Sequence, residues 1–106
     1  MNVVTPVIAR WDAIDAADEY ESQVRGLGQR FLAAVDDAVR KIAAQPRAYS
    51  PAPRVPPGRD VRFRRVNRFS YLIYYEVTAT EVIILAVVHA HRSQRVWRRR
   101  LSPRHP

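Results

Sequence analysis

Cysteine is absent from this 106-residue chain, so neither a disulfide framework nor a thiolate zinc site can be built from it. Glycine occurs three times, at 26, 28 and 58, which is too sparse for a phosphate-binding glycine loop. Long apolar runs are missing too: the longest uncharged stretch, 82–90, is about half of the roughly 18 residues that a membrane-spanning helix needs. The first residues show no basic segment followed by an apolar run of secretory type. No Ser-His-Asp spacing and no paired-carboxylate constellation is present. These absences predict a cytoplasmic protein with no membrane association, no metal and no cofactor.

Lysine is nearly absent as well, Lys41 being the single one among eighteen cations. What is present in its place is arginine, unevenly distributed. Residues 1–50 carry six cations against seven acids, net −1, whereas residues 51–106 carry twelve arginines against three acids, net +9. A guanidinium presents a planar fork of donors that matches phosphate and carboxylate, so the asymmetry points to an anionic partner. A hydrophobic share of 47% with 26% charged residues is ordinary for one folded domain over 1–106.

Thr5-Pro6 reads as an N-cap followed by proline at the first helical position. Ile8, Trp11, Ile14, Ala17, Tyr20 and Val24 then recur every three or four residues with acids between them, which predicts an amphipathic helix with an acidic outer face. Gly26-Leu27-Gly28 interrupts the pattern. Residues 28–44 resume it through Phe31, Leu32, Val35, Ala38, Val39 and Ile42 until Pro46, so a helical hairpin is expected. Five prolines between 46 and 58 predict an extended connector. Segments 61–66, 69–77 and 81–89 are β-branched and aromatic, with Thr78-Ala79-Thr80 as a hairpin turn, and Val3-Val4 add a short first strand. The class is α+β: a short N-terminal strand and a helical hairpin packed on a mainly antiparallel sheet of three to four strands, with a basic C-terminal segment. Residues 82–88 are apolar at both parities, which requires cover on both faces, one from the hairpin and one from the C-terminal segment or a partner.

Three groups of residues are candidates for function. Arg62 and Arg64 share one face of a strand and Arg68 follows it, an arrangement suited to holding a phosphate or carboxylate and equally to a solvated, charge-protected edge strand. His89 and His91 lie i, i+2 beside Arg92 at the end of the last strand. They suit general acid or base work better than metal binding, since no further ligand accompanies them. Arg95, Arg98, Arg99 and Arg100 surround Trp97, and Trp97 with Leu101 would pin one face of this segment while the arginines project.

Taken in order, these pieces resemble a known group of proteins. A first helix ending in Tyr20, the run Gly26-Leu27-Gly28-Gln29-Arg30-Phe31-Leu32, Pro46 with Tyr49, Arg68-Phe69-Ser70-Tyr71 with Tyr74-Tyr75, and His89-Ala90-His91-Arg92 leading to Trp97-Arg98-Arg99 together resemble the RelE/ParE superfamily of bacterial type II toxins over about residues 3–100. The resemblance implies a helical hairpin on a four-stranded sheet, a cognate antitoxin encoded beside the toxin, and assembly into an oligomer with it. It also implies one of two activities. ParE-like members inhibit DNA gyrase, and RelE-like members cleave mRNA on the ribosome. No tyrosine follows Tyr75, so a nuclease here would depend on His89 or His91 with Arg62, Arg64 and Arg92 stabilising the phosphate. The expectation is therefore a ParE-like gyrase inhibitor, with the RNase and a non-toxic basic binding module as alternatives. Arg62, Arg64, Arg68, His89, Arg92, Arg95, Trp97, Arg98 and Arg99 are its expected contacts to target or antitoxin.

Overall fold

The computed structural model describes residues 1–102, apart from the side chains at 93 and 94. A short strand β1 (Asn2–Val4) leads into helix α1 (Val7–Gln23). Pro6 occupies the capping position, and its carbonyl accepts the N–H groups of Ala9 and Arg10 at 3.0 and 3.2 Å. Thr5 was the expected cap, but no side chain caps this helix. The chain reverses through Gly26, whose φ of 85° suits glycine, into helix α2 (Leu27–Ala44). Glu21 braces the reversal: its carboxylate accepts the N–H of Gly26 at 2.9 Å and of Gly28 at 3.0 Å, satisfying donors that the start of α2 would otherwise leave open. Those bonds, Gly26 first, hold the Glu21 carboxyl below its ordinary range. At Gly28 the helices nearly touch, since a Cβ there would lie 2.6 Å from the carbonyl oxygen of Ala17.

The buried side of α1 is not the one its bulky residues mark. Ala9, Ala13, Ala16 and Ala17 face the core, while Ile8, Trp11, Ile14 and Val24 are exposed. The alanines let the helix lie close to its neighbours, and the volume between is filled from the other side by Phe31, Ile42, Val82, Ile84 and Val87. Tyr20 alone of the larger expected residues joins the core, packing its ring 5.0–5.9 Å from those of Phe31, Phe69 and Tyr71. In α2 the expected Phe31, Ala38 and Ile42 are buried, and Leu32 is not.

The sheet has five strands in the order β1-β5-β4-β3-β2, one more than the upper expectation. The extra strand is β2 (Ser50–Pro51), two residues of the proline-rich connector that pair with Phe63 and Arg62 of β3 (Val61–Arg65). Proline is tolerated there because β2 is an edge. β4 (Tyr71–Val77) pairs antiparallel with β3 and with β5 (Glu81–His89), and β1 pairs parallel with β5. The Thr78 turn forms as expected, with its N–H on the carbonyl of Glu81 at 2.9 Å.

Opposite Tyr74 and Tyr75 the ladder skips Leu85, a bulge that reverses the inward parity of β5. Before it Val82 and Ile84 face the helices; after it Val87 does. Ile83, Leu85 and Val88 face the other way. The second cover is the C-terminal segment: helix α3 (Ser93–Arg100) places Trp97 at the centre of this face, with Ala52 and Val55 of the connector beside it. The indole stacks on Tyr74, centroids 6.0 Å apart and planes 21° apart.

Glu76, a buried acid in β4, meets both Nε and Nη2 of Arg59. The same guanidinium donates from Nη1 to the carbonyl of Ser102 at 2.7 Å, tying the end of α3 to the sheet. Glu76 in turn raises the pKa of Arg59.

Candidate functional site

β1 pairs with only residues 81–83 of β5, which leaves the outer ladder of β5 open beyond that point. Two side chains fill the gap. Asp12 of α1 accepts the N–H of Val87 at 3.0 Å, and Arg100 of α3 donates from Nη1 to the carbonyl of Leu85 at 3.1 Å. The two join through Nη2 and Oδ1 at 3.0 Å and through a second bond between Nη1 and Oδ2. Together they stand where another strand would pair. Asp12 reads from sequence as part of a solvated acidic face and Arg100 as a projecting cation. They stand 88 positions apart in the chain, and nothing local signals the contact.

This clasp closes one side of a cleft of about 750 Å³ between α1 and the start of α3, lined by Asp15, Glu19, Tyr71, His89, His91 and Arg92 among others. His89 and His91 lie on the same side, as i, i+2 spacing on an extended chain requires. Their rings stack 5.2 Å apart, and the His91 N–H donates to Nδ1 of His89 at 3.3 Å. The ring of Tyr71 meets His89 edge-on at 5.4 Å. Among the described residues, no group of three or more His, Asp or Glu side chains is placed to hold a metal ion.

The strand arginines stand elsewhere, on β3, with β4 between them and the histidines. Arg62 is bound into the fold: it donates to Asp60 Oδ1 at 2.8 Å and to the carbonyls of Arg47 and Tyr49 at 3.0 and 2.9 Å. Beside it the Tyr75 hydroxyl donates to the Pro46 carbonyl at 2.7 Å, and burial pushes its pKa up to about 12. Arg64 lies with Cζ 5.1 Å from the centre of the Tyr49 ring, and Arg68 projects from the β3–β4 turn with a left-handed φ of 69°. Tyr49, Arg64, Arg65, Asn67 and Arg68 line a separate concavity of about 380 Å³. His89, His91 and Arg92 share one cleft, Arg64 lines another, and Arg62 lines neither.

α3 sorts its arginines by face. Trp97 is fully buried. Arg98 lies 5.0 Å over the indole and donates to the carbonyls of Pro53 and Arg54 at 3.2 and 2.8 Å, and Arg100 is held in the clasp. Arg92, Arg95 and Arg99 are left exposed to solvent.

The remaining surface feature is apolar. Val7, Ile8, Trp11 and Ile14 form an exposed stripe on α1, Trp11 retaining 55% of its accessible surface, with Val4 and Leu32 also exposed. Beside the stripe runs a groove between α1 and α2, walled by Ala9, Ala13, Ile14, Leu32, Val35 and Val39 and floored by Ile84 and Val87. Scattered single apolar residues on a surface are ordinary, whereas large contiguous patches are where interaction sites are commonly found. β5, by contrast, leaves no apolar face for a partner, since the helical hairpin and α3 cover both.

A small, basic α+β protein with an uncovered apolar face on its first helix is the class that these features define. The profile of the family described as "ParE toxin of type II toxin-antitoxin system, parDE" matches residues 6–94. The chain belongs to this ParE toxin family of type II toxin-antitoxin systems. A solved structure titled "Chromosomal ParDE TA system from P. aeruginosa" contains a chain that is 23% identical, aligned over 84% of this chain and 95% of that one with a TM-score of 0.58, a likeness of fold. No curated protein matches the sequence. No described helix is long and apolar enough to cross a membrane.

Proposed function

We propose that the protein acts on DNA gyrase as the toxin of its type II pair and is neutralised by a cognate antitoxin. The observation that carries the choice of target is the separation of the strand arginines from the histidine cleft. A ribosome-dependent RNase needs a proton-transfer group and phosphate-stabilising cations around one scissile bond. Here they lie on opposite sides of β4, and Arg62 is already held by Asp60 and two carbonyls. α3, anchored by Trp97, instead offers Arg95 and Arg99, with Arg92 at its N-terminal cap, as a cationic face suited to an acidic protein surface. The antitoxin reading is supported by the α1 stripe and the α1–α2 groove beside it, apolar surfaces that an amphipathic partner helix would cover as the pair assembles.

Induced expression in a bacterial host tests the target. Filamentation with double-strand breaks, abolished in R92A/R95A/R99A and retained in H89A/H91A, is the expected outcome. Rapid translation arrest with cleaved mRNA, lost in H89A/H91A, would refute the gyrase reading and move the chemistry to the histidine cleft. Absence of any growth effect would leave a basic binding module.

A further inference from the structure

The concavity at the β3–β4 turn has no role in the reading above, and its composition is unusual within the fold. Three of its five lining residues are arginines, the others are Tyr49 and Asn67, and no carboxylate lines it. Elsewhere the structure pairs its partly buried arginines with acids: Arg59 with Glu76, Arg62 with Asp60, Arg100 with Asp12. Arg64 is treated differently. Its guanidinium is held against the Tyr49 ring, its Nη1 donates to the carbonyl of Arg65 at 3.0 Å, and its buried Nε has no partner. Asp37 on α2, an acid whose charge reaches it, is already engaged by Lys41 at 3.0 Å and Arg40 at 3.7 Å.

The ladder adds a backbone element. Val66 donates to the Tyr71 carbonyl and Val77 to that of Asp60, so even-numbered residues of β3 bond to β4 and odd-numbered ones face outward. β2 reaches only Phe63, which turns the N–H of Arg65 toward the uncovered edge. Arg68 closes the turn in a left-handed conformation with its side chain exposed. A guanidinium fixed by an aromatic ring, two further guanidinium groups and an outward amide together make a receptor for an oxyanion.

We infer that this concavity binds the phosphodiester backbone of duplex DNA, separately from any contact made by α3. Arginine forks match phosphate oxygens, and the site sits on a projecting turn that a backbone can run past. The cationic C-terminal half of the chain, net +9, favours a continuous polyanion over an isolated anion. The contacts argued here are to phosphate oxygens, which carry no sequence information, so binding is expected to be indifferent to sequence.

Fluorescence anisotropy of a labelled 20-base-pair duplex with the purified full chain, titrated over salt, tests this without gyrase present. Its failure is therefore distinct from failure of the gyrase reading. R64A/R68A is expected to weaken binding and to make the slope of log affinity against log salt shallower by about 1.8, two phosphates at about 0.9 each. R40A, on α2, is expected to change neither. Should R64A fail to fold by circular dichroism, R65A/R68A carries the same test, because both side chains are exposed. The inference is overturned by absent binding at low salt, or by a slope unchanged in the double variant. It is also overturned by tighter binding of single-stranded RNA of equal length, or of an acidic peptide, than of the duplex.

Discussion

Replacing Asp12 with alanine removes three hydrogen bonds in one step, those to Val87 N–H and to both terminal nitrogens of Arg100. An orphaned buried donor such as the Val87 amide costs about 1–3 kcal/mol. Breaking a fully buried ion pair by deleting one partner costs about 3–5 kcal/mol, but these side chains keep 19% and 16% of their surface, and Arg100 can turn toward water. A total of about 3 kcal/mol follows, the larger share from the amide. For a chain of this size that lowers Tm by roughly 12–24 °C, at about 4–8 °C per kcal/mol. R100A should cost less, because Asp12 keeps its bond to Val87. The double variant should fall about 1–2 kcal/mol short of the sum of the singles, as expected for groups in one network. D15A, on the same helix but exposed, serves as the control and should lie within about 0.5 kcal/mol of the parent. Urea unfolding followed by far-UV circular dichroism reads all four. A D12A protein as stable as the parent, or additive singles, would show that the clasp is a surface pair of no consequence.

W97A should be more severe, costing about 3–5 kcal/mol, since a fully buried indole at the centre of the second core face leaves a large cavity; a loss under 1 kcal/mol in urea unfolding would mean that α3 does not cover the sheet. In G28A the new methyl meets the Ala17 carbonyl at 2.6 Å, and the forced shift should cost about 1–3 kcal/mol, readable as a lower unfolding midpoint. Glu21 makes stability depend on pH. Its folded pKa is depressed below 4.5, chiefly by the Gly26 amide, so the contribution is complete above that pH and is lost as pH falls through the lower folded value. E21Q should therefore flatten the acid side of the stability profile, and an unchanged profile would count against the brace.

Much of the architecture was legible because local pattern and tertiary role agree. The β4–β5 hairpin, the break at Gly26 and the end of α2 before Pro46 are all marked by residues whose backbone preferences act locally. α1 misled because two stripes run along it at helical spacing. Ile8, Trp11 and Ile14 outweigh Ala9, Ala13, Ala16 and Ala17 on any scale of hydrophobicity, yet close packing selects the smaller set. The bulge at Leu85 leaves no trace in a run that is apolar throughout. Glu76 did leave a signal: a single acid inside YLIYYEV requires a buried cation, and Arg59 supplies it. For the candidate site, the sequence singled out histidines and arginines by residue type. It did not show which arginines the fold uses for itself, because Arg62, Arg98 and Arg100 are bound by carbonyls and an acid distant in the chain.

The two tryptophans sit in opposite surroundings, Trp11 largely open on α1 and Trp97 sealed under α3. The chain thus carries two intrinsic optical reporters that answer different questions. A dissolved quencher such as acrylamide should reach Trp11 and spare Trp97, so loss of quenching reports a partner settling on the first helix. A red shift of the protected emission reports α3 lifting from the sheet. One emission spectrum, taken with and without quencher, can therefore separate occupancy of the apolar helix face from loosening of the cationic helix, with no label added to a molecule whose surfaces are in question.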